Sequence, residues 1–221
     1  MRTLAEQQIE AARDMFRAHF GFSPRIFRPG CFSSNDFTYG VLHDLGFVGG
    51  SVSIPGRVWT ERHCVWAGAE PHPHFANARF RQVPGELPFV DVPLSVDRIG
   101  GLRTHALGFQ HYMDLRPGGV YSEQEDSGRD HAVLLRNIVR QLAEERPQLK
   151  TIVIDVHNDR DFLDKEATSA RQLRTILTGL DPELATCGLR PVPATVEQAV
   201  DRFTNRHRSK SQCPNNRKAS W

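Results

Sequence analysis

The stretch RIFRPGCFSSNDFTYGVLHDLGF, residues 25–47, begins as a short apolar strand and turns a corner at Arg28-Pro29-Gly30. It then crosses a polar loop and becomes an amphipathic helix that Gly46 stops. Asn35 or Asp36 stands where an N-cap belongs, the helix is read over Phe37 to Leu45, and FVGGSVSI, residues 47–54, follows as the next strand. Strand, helix, strand is the repeating unit of an α/β fold.

Outward from this unit the pattern continues on both sides. Between Thr3 and Phe20 the apolar residues Leu4, Ala11, Ala12, Met15 and Phe16 fall near helical spacing, which predicts a surface helix with one buried stripe. Residues 55–93 carry several prolines and few helical signals, so they read as loops with short strands, FRQVPGELPFVDVPLSV among them. HAVLLRNIVRQLAEERP places Val133, Leu134, Ile138, Val139 and Leu142 on one helical face before Pro147. TIVIDVH, residues 151–157, has three apolar residues in succession, as in a strand covered by helices on both faces. A helix over about Glu166 to Leu180 and a last strand and helix, LRPVP and TVEQAVDRF, complete a single domain over 1–203. The polar, basic residues 204–221 read as a disordered tail.

The 221 residues carry 28 basic and 26 acidic side chains, a net charge of +2, so no global field selects nucleic acid or an anionic membrane. No apolar run approaches the roughly 18 residues of a membrane span, and the charged N-terminus lacks the apolar block of a signal peptide. A cytoplasmic location is the expectation. Cys31, Cys64, Cys187 and Cys213 form no CxxC pair and read as reduced, structural cysteines. Walker, GxGxxG, GxSxG and HExxH patterns are all missing from the sequence, which leaves acid–base or metal-assisted chemistry at strand ends.

Functional groups in α/β proteins collect where strands give way to loops. Arg28 stands at such a place after RIF, and Asp155 and His157 stand at another, at the end of TIVIDVH. An arginine fixed by Pro29 and Gly30 can hold a carboxylate or a substrate oxyanion, and a histidine can act as general acid or base. Each residue taken alone is more often a structural ion pair or a satisfied histidine. His72 and His74 in PHPHF, with His63 and Cys64 nearby, are weak metal-ligand candidates whose spacing matches no metal motif. His105, His111 and His131 have no partner pattern. Asp159, Asp161 and Asp164 read as helix caps more simply than as cation ligands.

FRPGCFSSNDFTYGVLHDLGF and TIVIDVHNDRDF together resemble the polysaccharide deacetylase family, the NodB-homology domain of carbohydrate esterases, over about residues 1 to 185. The resemblance implies a distorted (β/α) barrel and a hydrolase of non-peptide C–N bonds. Such an enzyme uses a divalent metal, commonly zinc, to remove acyl groups from N-acetylated sugars. It implies that Arg28 pairs with a catalytic aspartate, that Pro29 walls the substrate groove and that His157 protonates the leaving amine, with Asp91 in the region of a variable groove motif. The family's Asp-Asp strand and HxxxH-like ligands have no counterpart upstream of Arg28, and Asp155 replaces the leucine usual before the late histidine. The expectation is therefore a barrel incomplete at its N-terminus, with its metal ligands unidentified. The chain is either a deacetylase or a non-catalytic carbohydrate-binding or structural remnant of the same fold.

Overall fold

The computed structural model describes residues 4–105, 107–118 and 130–211; Thr3 and the expected tail residues 212–221, Cys213 included, lie outside them. Helix α1, Leu4–Phe20, does not bury the expected stripe. Leu4 and Met15 are 71% and 74% exposed. Ile9 packs against the core instead, and Arg13 donates from Nη1 to the Leu45 carbonyl at 3.2 Å. Leu4, Ala11 and Met15 lie on the side away from Ile9 and Arg13, and Ile9 with the Arg13 stem covers the core.

The unit read around residues 25–47 is present. Strand β1, Ile26–Phe27, leads through the corner to helix α2, Thr38–Asp44, and then to strand β2, Gly49–Gly50, parallel to β1. Asn35 organises the turn before α2 by accepting from the Phe37 N–H at 3.0 Å, while the backbone N–H of Arg81 reaches Asp36. Eight further two-residue strands follow: β3 Val58–Trp59, β4 Cys64–Val65, β5 His74–Phe75, β6 Val90–Asp91, β7 Val96–Asp97, β8 Arg103–Thr104, β9 Gln110–His111 and β10 Met113–Asp114. Helices α3, His131–Glu145, α4, Thr168–Ala185, and α5, Val196–Ser211, complete the described residues.

The strands form a sheet β1-β2-β6-β5, a pair β10-β7 and an antiparallel sheet β4-β3-β9-β8. None closes into a barrel among the described residues, which corrects the expected distorted (β/α) barrel. Among the described strands only β1, β2 and β6 run parallel, and β5 lies antiparallel on β6. The segment that should have continued the parallel set, TIVIDVH, forms no regular ladder. Val153 donates its N–H to the Ser95 hydroxyl at 2.8 Å and accepts from the Ser95 N–H at 3.3 Å, and Asp155 donates to the Leu115 carbonyl at 3.2 Å. A side-chain oxygen thus stands in for a backbone acceptor and interrupts the pairing.

Helix α5 lies across β2 and β6, where Ala199, Val200 and Phe203 bury Val90 and Val92. Gly49 permits this, since a Cβ there would overlap Val200. The same helix runs past Phe203 to Ser211, so residues 204–211 are helical rather than part of a disordered tail. Asp130 caps α3 by accepting from the N–H groups of Ala132 and Val133. Its buried face is Leu134, Leu135, Ile138, Val139 and Leu142, with Val133 40% exposed, and it packs against Ile176 and Leu184 of α4. No helix of the described residues is long and apolar enough to cross a membrane.

Candidate functional site

The corner after β1 is built under strain. Cys31 and Phe32 have φ of 52° and 55°, left-handed values that cost a non-glycine residue about 1–2 kcal/mol each. Phe32 is held there on both sides. Its carbonyl accepts from Trp66 Nε1 at 2.8 Å, and its ring lies 5.6 Å from the Arg28 guanidinium. Arg28 is in turn fixed by donating from Nη1 to Asp155 Oδ1 at 3.1 Å and from Nη2 to the Ser51 hydroxyl at 3.0 Å. Non-glycine strain that surrounding contacts impose is characteristic of ligand-handling corners.

Arg28 and Asp155, separated by 127 positions in the chain, are therefore direct partners. His157 joins them, with Nε2 3.6 Å from Asp155 Oδ2. Beneath lies an ionic chain the sequence reading missed. Arg116 reaches Asp155 Oδ2 at 2.7 Å and Asp114 Oδ2 at 3.3 Å, and Arg57 reaches the same Asp114 oxygen at 3.1 Å. Arg57, Arg116 and Asp114 are all nearly or wholly buried, while the side chains of Arg28 and His157 are 36% and 42% exposed. One signal could have exposed the partner: Arg116-Pro117-Gly118 repeats Arg28-Pro29-Gly30. The two Arg-Pro-Gly corners place a guanidinium on each oxygen of one aspartate.

Pro29, the expected groove wall, sits between Arg28 and the strained Cys31–Phe32 pair, with its carbonyl accepting from the Phe32 N–H. Asp91 lies elsewhere. It is fully buried, and its carboxylate accepts from the Val52 N–H at 2.8 Å, the Tyr39 hydroxyl at 2.9 Å and the Ser53 hydroxyl at 2.5 Å. Burial, and then the Asp91 charge, push the Tyr39 hydroxyl well above the ordinary tyrosine value. Asp91 thus ties β6 to the chain leaving β2, inside the protein rather than on a groove.

The donor set does not fit the divalent metal that the deacetylase resemblance implies. Among the described residues no three His, Cys, Asp or Glu side chains converge. Both Asp155 oxygens are held by guanidiniums, and a cation would have to displace them. His74 is buried, with Nδ1 2.8 Å from the His72 carbonyl, whereas His72 turns away to Glu145, whose Oε2 lies 2.5 Å from Nε2. Asp161 accepts from the N–H groups of Leu163 and Asp164 as a turn cap, and these bonds lower its carboxyl below the ordinary range.

Glu145 also receives Arg98 Nη2, making a clasp between α3 and the loops before it. Desolvation alone would raise the Glu145 carboxyl, but hydrogen bonds from Arg98 and His72 outweigh it and hold it below the ordinary value. A carboxyl lowered in this way stabilises the fold above its unfolded value of about 4.3 and loses that contribution as pH falls through the lower folded value. The difference in Tm between wild type and Glu145→Gln is expected to be present at pH 7 and to shrink in acid below about pH 4. A difference that stays constant in thermal scans from neutral to acid would contradict the clasp.

Neither a family model nor a curated protein nor a solved structure matches this chain.

Proposed function

We propose that this chain binds N-acylated sugars at the strand-end cluster of Arg28, Ser51, Asp155 and His157, with the first three preorganised as a polar floor and His157 open beside it. The observation that carries the reading is Arg28 itself, anchored by Asp155, Ser51 and the Phe32 ring while still more than a third exposed. Two of its five donors are used among the described residues, so others can serve sugar hydroxyls or an acyl carbonyl. Rigid placement lowers the ordering cost of binding. The resemblance to polysaccharide deacetylases supports the choice of an N-acylated sugar. Because the donor set does not fit a metal, recognition is the part of that activity the described residues support.

Titration calorimetry with a β-1,4-linked N-acetylglucosamine tetramer tests this. Saturable binding that weakens in His157→Ala is expected, and no heat from any N-acylated oligosaccharide would overturn the proposal. A hydrolytic second reading has one observation in its favour, the placement of the His157 imidazole against Asp155, which suits proton donation to an amine. Acetate release from the same tetramer by the wild type and not by His157→Ala would establish it, and binding without release would leave recognition alone.

A further inference from the structure

We infer that the sugar recognised at this site carries a carboxylate, and that this group seats on Arg28 and His157. The inference rests on the carbohydrate-binding reading and adds the ligand's charge class. Asp155 is the only acidic partner of Arg28 and of His157 among the described residues, and the same carboxylate also pairs with Arg116. With Asp114, which Arg116 and Arg57 share, the cluster sets three guanidiniums against two carboxylates, and the His157 imidazole lies beside them. Of the groups around Asp155, Arg28 and His157 are the exposed ones, while Asp155 itself is 5% exposed between the two corners. Of the charges that follow His157, Asp159 pairs with Arg160 at 3.6 Å, and the Asp161 and Asp164 carboxylates are turned to backbone N–H groups of their own segment.

A ligand carboxylate would complete this arrangement. Arg28 presents its outer donors in a planar fork that matches two carboxylate oxygens, and such charge-assisted pairs are stronger than hydrogen bonds to neutral acyl or hydroxyl oxygens. The Phe32 ring behind the guanidinium fixes its plane, so the fork is aimed rather than free to rotate. A neutral sugar would leave this positive potential without a counterpart.

The test compares two tetrasaccharides by calorimetric titration of the wild-type chain: the neutral N-acetylglucosamine tetramer, and one that alternates N-acetylglucosamine with glucuronate. Affinity roughly tenfold or more higher for the acidic ligand is expected. The gap should narrow as salt is raised from about 0.1 M to 1 M, where the screening length falls to about 3 Å. It should also narrow in His157→Ala and in Arg28→Lys, the latter keeping a cation beside Asp155 while losing the fork. Equal affinity for the two ligands, or a preference that both variants retain, would overturn the inference and leave the carbohydrate reading standing. Failure of both ligands to bind would overturn that reading as well. Displacement of the acidic tetrasaccharide by equimolar citrate would show a general anion site and overturn the assignment to a sugar acid.

Discussion

Replacing Asp155 by alanine is expected to destabilise the chain by about 3–5 kcal/mol and to abolish oligosaccharide binding. The carboxylate is buried between Arg28 and Arg116, and its removal leaves Arg28 with no acidic partner among the described residues and Arg116 with Asp114 alone, which Arg57 already shares. The Arg116 side chain is only 3% exposed, so water cannot take over the role of the lost partner. Asp155→Asn should be milder in volume yet still costly, because the amide is neutral and carries two donors of its own. Chemical denaturation with a two-state fit measures the loss. A change below about 1 kcal/mol, within the range of exposed ion pairs, would contradict the buried network.

A comparable effect is expected at Asp91, for a different reason. Its carboxylate is the acceptor for one backbone N–H and two hydroxyls, all in the interior, and alanine leaves those three donors without it. Unsatisfied buried groups cost about 1–3 kcal/mol each and do not add fully, so a total of about 3 kcal/mol or more is expected. Burial first, and the Asp91 charge second, raise the Tyr39 hydroxyl, so the neutral tyrosine is the form the fold stabilises. That contribution is complete below the unfolded tyrosine value of about 10 and declines only as pH rises through the higher folded value. Asp91→Ala should therefore lower Tm across the neutral range. In contrast to Asp155→Ala, any Asp91 variant that still folds should keep its affinity for sugar, since the Asp91 carboxylate bonds Tyr39, Val52 and Ser53 and is buried beneath the site. A folded Asp91 variant without binding would place Asp91 on the ligand after all.

The two sites differ in how far the sequence disclosed them. Local features were readable: RIF, the helix ended by Gly46, and the long apolar periodicity of α3 all depend on neighbours within a few positions. Asp155, His157 and Arg28 were found because each ends an apolar run. Their pairing was beyond reach, since no periodicity reports a contact across 127 positions. Arg57, Asp114 and Arg116 were hidden for the same reason, in a region whose prolines read as loop, and the repeated Arg-Pro-Gly was the signal passed over.

The errors have physical causes as well. Three consecutive apolar residues at 152–154 read as a strand buried on both faces, yet each is only half-buried and their backbone bonds to a serine side chain and a loop. The stripe assigned to α1 included residues of helical spacing whose burial depends on what lies opposite, and Ile9 with Arg13 took the inward side. Gly49 and Gly50 read as part of an ordinary strand. Their function is absence: a side chain at Gly49 would meet Val200, and one at Gly50 would meet the Phe27 carbonyl.

The most direct measurement for the central claim is nitrogen-detected NMR of the arginine and histidine side chains during titration with the alternating N-acetylglucosamine–glucuronate tetrasaccharide, with Arg28→Lys and His157→Ala used to assign the two signals. The account predicts that the Arg28 Nε–H and His157 ring resonances shift together and saturate at one ligand equivalent. Binding that leaves both signals in place, and moves resonances of another surface instead, would contradict it.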